Sequence, residues 1–382
     1  MKEPVNHDGR PDSEHIQDMP PESLEGLIVS TSKFTPQRLS LAREMAALDI
    51  KELADRIDAT PSAVSQFEKG RTRPKAETVI RLALALGVPP AFFAAEPLAP
   101  IALEACHFRS LRSSTVKERR RVLAYGALMK RLVDHVQEMV NFPAEQLTAL
   151  RTVIAGLTNI DEIAMAVRDV WGLGHGPISD MVALLESKGV LPIEIPGHTQ
   201  RLDAFSTWVD KKPLVFLTVD KGSGSRRRWD CAHELAHLLL HAEAEPGDAV
   251  NEQAADRFAG AFLLPKAPFM AECPHRLDWN RLRALKRRWG VSLAAIVRRA
   301  FDLGIYSEAT YRRAYTILNQ LGWRTSEPDE PPIERPTLLK RALRLITDAG
   351  YSLKRIAADL NLGEGRLNDL LVSPDNEQLA FA

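Results

Sequence analysis

Cysteine is scarce in this chain: three residues in 382, Cys106, Cys231 and Cys273, far apart and odd in number. That excludes a disulfide framework and a CxxC metal knuckle. Net charge is missing as well, with Lys+Arg 50 against Asp+Glu 50. Any nucleic-acid affinity must therefore come from a local basic patch rather than from the whole molecule. Long apolar runs are absent. Stretches such as Ala259–Pro265 fall far short of a bilayer span, and Met1–Ser23 lacks the apolar centre of a secretory signal. A reduced, cytoplasmic protein without a membrane partner is expected. What is present is ordinary for a globular protein: 45% hydrophobic and 26% charged residues, too apolar for a disordered chain. At about 150 residues per domain, the length implies two or three domains.

The apolar patterning predicts an α+β, mostly α chain. Residues 1–32 are polar and proline-bearing and read as a disordered tail. Dense helical periods over 33–95, in four successive apolar stripes, predict a small helical domain. Residues 96–145 hold a basic linker helix, running from about Thr115 to Met139. Residues 146–325 form a central domain with a small sheet built from Val190–Ile195, Ala204–Val209 and Pro213–Val219, followed by helices. The Glu/Pro-rich stretch 326–336 reads as a linker and 337–382 as a C-terminal helical module.

Within the first domain, Ile50–Ile57 reads as a short helix around the small Ala54. Asp58–Thr60 forms a turn, and Thr60-Pro61 supplies an N-cap and a first-turn proline for a second helix, Pro61–Lys69. That helix buries Val64 and Phe67 and turns Ser62, Ala63, Ser65, Gln66 and Lys69 outward. Two packed helices with small outward polar residues suit a major groove, where Gln reads adenine edges and Ser and Lys contact bases or phosphates. Lys51, Arg71, Arg73 and Lys75 surround this face, and Lys33–Arg81 holds ten basic and seven acidic residues. A helical bundle with coincidental spacing is the alternative on pattern alone. The stretch Arg38–Phe93, with its EKGRTRP segment, resembles the Xre/lambda-repressor-like helix-turn-helix family over its five-helix length. Lys51 stands where that family often has Gln. The resemblance implies a double-stranded operator DNA partner, contacted by Lys51, Ser62, Ala63, Ser65, Gln66, Lys69, Arg71 and Arg73. A homodimer is expected, since paired half-sites multiply the limited specificity of one short helix.

The segment Cys231–His241 contains HExxH. Histidines four apart, His233 and His237, sit one above the other on a helix and can face one Zn²⁺, with Glu234 as general base toward water. A following helix offers Glu252 and, four residues on, Asp256. Glu252 is assigned as third ligand and Asp256 as outer acceptor for a ligand histidine's second N–H. Glu243, Glu245 and Asp248, in a Pro/Gly turn, rank lower. Residues about 178–265, with RRRWDCAHELAHLLLH and NEQAADRFAGAFLLP, resemble the ImmA/IrrE family of metallopeptidase domains. Ala236 replaces the family's usual Gly and Trp229 a common Phe. The resemblance implies a zinc-dependent endopeptidase with His233, His237 and Glu252 as ligands and Glu234 as base. It also implies a substrate among regulators, either this chain or a partner repressor. A non-enzymatic regulator sensing metal or a partner, or an antitoxin, is the alternative.

Other features are less specific. His241 continues the histidine face and reads as an exposed or outer histidine rather than a fourth ligand, and Cys231 as a core thiol pointing away from the metal. Between Arg276 and Arg299 eight basic residues face one acid, Asp278, which suits a solvated helix face or a phosphate-binding surface. Tyr306, Tyr311 and His275 are candidates for the oxyanion role. Leu53–Phe67 is echoed by Ile356–Leu370 at an offset of 303, apolar positions matching and polar ones mostly not. Glu364 and Asp369 oppose DNA binding by that copy, with only Arg366 in favour, which points to an interaction or packing module.

Overall fold

The computed structural model describes residues 33–101, 107–108 as backbone, 115–195, 204–218, 223–241 and 248–371. The expected N-terminal tail, Cys106, Glu243 and Glu245 lie outside them. The described chain is mostly helical with one small sheet, and it divides into two units: residues 1–99 with 350–369, and 100–349 with 370–382.

The first unit begins with α1 (Pro36–Met45), α2 (Ile50–Arg56), α3 (Pro61–Glu68), α4 (Ala76–Leu86) and a 3₁₀ turn, Pro90–Ala94. Local chemistry sets each boundary. Asp49 and Glu52 form a reciprocal capping box at the start of α2. Thr60 accepts from Ala63 N at 3.2 Å and Pro61 opens α3. Gly87, at φ 63°, ends α4 in the left-handed conformation that glycine adopts without steric cost. Leu39, Leu53, Val64, Val79, Leu82 and Phe92 are fully buried. Phe67, expected inside, is half-buried. Across the core Arg43 makes a two-pronged ion pair with Glu68, at 2.6 and 3.0 Å, tying α1 to α3.

The second unit contains β1 (His107–Phe108), α5 (Val116–Gln137), α6 (Leu147–Ile154), α7 (Ile160–Val170), α8 (Met181–Ser187), β2 (Leu191–Ile195), β3 (Phe205–Val209) and β4 (Lys212–Thr218). The helices α9 (Gly224–Leu240), α10 (Ala249–Leu263), α11 (Lys266–Glu272), α12 (Trp279–Trp289), α13 (Leu293–Asp302), α14 (Glu308–Gln320) and α15 (Leu338–Asp348) follow. The four strands lie in the order β1-β3-β4-β2, β2 parallel to β4 and the rest antiparallel. Asp210 and Lys211, both at positive φ, make the two-residue turn between β3 and β4, matching the twist of the paired strands. The basic helix α5 is not a bridge between domains. It packs on β2 and α15, and Gly126 brings it so near the sheet that a Cβ there would sit 2.9 Å from the Phe216 ring. Helix α9 packs on α10, β3, α6 and α8, and its inner residues Cys231, Ala232, Leu235 and Ala236 are fully buried.

Residues 326–336 carry no regular structure but are fastened at every turn. Glu327 accepts from Leu293 N at 2.7 Å, and Glu330 from Ser225 N at 3.1 Å. Glu334 accepts from Met181 N at 2.8 Å. Three carboxylates thus serve the unpaired N–H groups that open α13, α9 and α8, where negative charge is favoured. The same strap neutralises α12. Lys286, with no exposed surface, pairs with Glu327 at 2.6 Å and with Glu330, while Arg283 and Arg287 pair with Asp329. An acidic segment of its own chain thus buries Lys286 and pairs Arg283 and Arg287, while Arg276, Arg281, Arg287 and Arg288 keep exposed surface, as on a solvated face. A Cβ on Gly224 would collide with the carbonyl oxygens of Pro331 and Pro332. Gly224→Ala is accordingly expected to displace the strap and cost about 1–3 kcal/mol, read by denaturant unfolding.

Two short helices, α16 (Leu353–Asp359) and α17 (Glu364–Leu371), end the described chain. Residues Gly350–Asp369 belong with the first unit, so 337–371 is shared between both.

Candidate metal centre

Helix α9 places His233 and His237 one turn apart, both with no exposed surface. Their Nε2 atoms lie 3.0 Å apart. Helix α10, capped by Asp248 through Val250 N at 2.9 Å, brings Glu252 against them. Its Oε2 is 3.3 Å from His233 Nε2 and its Oε1 3.4 Å from His237 Nε2. Asp248 is not among the groups that converge. His233, His237 and Glu252 are the one group of His, Cys, Asp or Glu among the described residues with atoms converging as a metal requires.

Each of these groups is held by a neighbour. His233 Nδ1 lies 2.9 Å from Asp256 Oδ1, to which Trp229 Nε1 also donates at 3.4 Å. His237 Nδ1 lies 3.2 Å from His241 Nδ1, and His241 is buried. With each Nδ1–H given to its outer partner, both Nε2 lone pairs point at the carboxylate. Burial alone would raise the Glu252 pKa, but the two imidazoles beside it, when protonated, outweigh that and hold the group well below the usual carboxylate range.

Glu234 is 1% exposed, and its Oε2 accepts from Ser206 Oγ at 2.7 Å on β3. Burial pushes its pKa up against the imidazole charges and the serine bond, which lower it. Cys231 faces the core, and burial raises its pKa well above the ordinary thiol value, so it stays protonated and inert. Tyr306 is buried against Cys273, Tyr311 stacks on Phe301 with ring centroids 4.6 Å apart, and His275 is exposed.

The donor set fits a borderline divalent cation. Separations of 3.0, 3.3 and 3.4 Å are close to the edge of about 3.3 Å of a tetrahedron with Zn–N and Zn–O arms of about 2.0 Å. Glu252 Oε1 is buried without a hydrogen-bond donor, a deficit that a shared cation would remove. Sequence reasoning did not find Ser206. It is one small residue in a buried strand, 28 positions from its partner, and nothing local marks it.

In the first unit Lys51, Ser62, Lys69, Arg71 and Arg73 are exposed, and Ala63, Ser65 and Gln66 half-buried. Gln66 Nε2 reaches Ser62 Oγ at 3.4 Å. Among the described residues no helix is long and apolar enough to cross a membrane.

No curated protein matches the chain. Residues 39–93 match the family described as helix-turn-helix, and residues 185–301 the peptidase family described as IrrE N-terminal-like domain. The second match spans β2 through α13, and with it the converging histidines and glutamate. The chain thus joins an Xre-like helix-turn-helix domain to an IrrE/ImmA-like peptidase domain.

Proposed function

We propose that this chain is a cytoplasmic DNA-binding transcriptional regulator whose second unit is a zinc-dependent endopeptidase acting on itself or on a partner repressor. The convergence of His233, His237 and Glu252, with Glu234 on the same helix and within electrostatic reach of both histidines, carries this reading. The two imidazoles and the carboxylate would hold Zn²⁺, which supplies Lewis acidity toward a peptide carbonyl and water. Glu234 is the base. Ser206 fixes Oε2, and Oε1 is left to take a proton from the attacking water and return it to the leaving amine. Asp256 and His241 orient the imidazoles. Candidate repressors and the chain itself, incubated with zinc, should be cleaved by wild type and not by Glu234→Gln. Equal cleavage by both excludes the chemistry.

The deep burial of Glu234 favours a second reading, a regulator that senses metal without turnover. Under it, Glu234→Gln leaves promoter repression intact while His233→Ala alters it.

At the operator, Lys51, Ser62, Ala63, Ser65, Gln66, Lys69, Arg71 and Arg73 form the reading face, with two chains pairing on half-sites. Gln66→Ala is expected to cost about 1–3 kcal/mol and relax preference at one base pair. Lys69→Ala should weaken all sequences alike and lower the salt slope by about one, both read by binding titrations across salt.

A further inference from the structure

The pair α16–α17 repeats α2–α3 feature by feature at an offset of 303. A left-handed residue precedes each first helix, Ala47 at φ 50° and Gly350 at φ 91°. An N-cap side chain opens it, Asp49 accepting from Glu52 N and Ser352 from Arg355 N. A left-handed residue follows it, Asp58 at φ 53° and Asn361 at φ 55°. Ala59 N→Ala54 O at 3.0 Å recurs as Leu362 N→Ala357 O at 2.7 Å, and Val64 N→Thr60 O at 3.2 Å as Leu367 N→Gly363 O at 3.0 Å. Leu53, Ala54, Ile57 and Val64 are buried, and so are Ile356, Ala357, Leu360 and Leu367 in their places. Positive φ outside glycine is uncommon, so a shared turn geometry with a shared buried set marks one architecture used twice.

The outer face does not repeat. Ser62, Ala63 and Gln66 are replaced by Gly365, Arg366 and Asp369. The guanidinium of Arg366 turns onto the unit itself. Its Nη2 donates to Leu86 O at 2.9 Å and to Gly87 O at 3.3 Å, at the C-terminal end of α4. Carbonyls there lack intrahelical donors, and a cation is favoured by the helix dipole. Gly363 lies against the Pro89 ring, 3.9 Å from where its Cβ would be.

We propose that residues 350–369 are a degenerate second copy of the reading pair that has become a clamp, its partner being the C-terminal end of α4 in the same chain. The DNA-reading unit is then discontinuous, its closing piece lying beyond the peptidase-like region, and removing that piece loosens the helix-turn-helix segment 39–93 while leaving that segment's sequence untouched. The proposal is independent of whether the metal centre turns over.

Hydrogen exchange of the full-length chain, resolved by peptide mass spectrometry, tests it. Arg366→Ala should speed exchange about tenfold across the last turn of α4 and on to Phe93, the effect of losing a charge-assisted hydrogen bond. Arg366→Lys should recover part of that protection, and truncation after Ala349 should give at least the alanine effect. Exchange in α9 should not change. Wild-type exchange over residues 76–94 in Arg366→Ala overturns the clamp, as does an equal rise in α9.

Discussion

Replacing His233 by alanine is expected to lower zinc affinity by more than a hundredfold, measured by competition with a chromophoric chelator. The change removes one of three converging donors and leaves Asp256 without the Nδ1–H that lies 2.9 Å from it. Loss of an outer partner alone typically costs 10–100-fold in metal affinity, so the ligand itself must cost more. That sets the control: His241→Ala, which removes only the group 3.2 Å from His237 Nδ1, should fall within the smaller range, with His241→Gln recovering part. Thermal unfolding gives a second readout. A ligand at a thousand times its Kd stabilises a fold by about 4 kcal/mol, so zinc should raise the unfolding temperature of the wild type and leave that of His233→Ala unmoved. Unchanged zinc binding by His233→Ala would mean that the ion sits elsewhere and would remove the basis for the hydrolase reading.

The difference between what could and could not be foreseen follows from range. The α2–turn–α3 pair is written in adjacent residues: Asp49 with Glu52, Thr60 with Pro61, and the apolar positions 53, 57 and 64. HExxH is equally local, since one turn of helix aligns His233 with His237. Placing Glu252 required only that the next helix fold back on α9. The strap had no such signature. Glu327 and Lys286 are 41 residues apart, and a Pro/Glu stretch has the composition of a linker whether or not helix N-termini and a buried lysine await it. Arg283, Lys286 and Arg287 of α12 had no legible role for the same reason, because their counter-ions lie beyond α14 in the chain. The C-terminal echo was visible as matched apolar positions; the left-handed turns at 350 and 361 repeat those of the reading pair, and only the inward Arg366 distinguishes a packing element from a second reader.

Glu234→Gln should reduce peptide cleavage by about 10²–10⁴-fold while leaving zinc and DNA binding at wild-type levels, since general acid–base groups contribute in that range. Glutamine preserves shape and still accepts from Ser206, so the buried contact at 2.7 Å survives. What is lost is the capacity to take and return a proton. Ser206→Ala makes the complementary change: the carboxylate remains, but it loses the hydroxyl that fixes one of its oxygens, and a drop of about tenfold in turnover is expected for a single hydrogen bond. Because Ser206 belongs to β3 and not to α9, its variant should hold zinc as the wild type does, which separates a positioning effect from damage to the metal ligands. Cleavage that survives Glu234→Gln with zinc bound would exclude Glu234 as the base, whereas a wild type that binds zinc and cleaves nothing would transfer the protein to the sensing alternative, in which the same buried carboxylate closes the site against water instead of activating it.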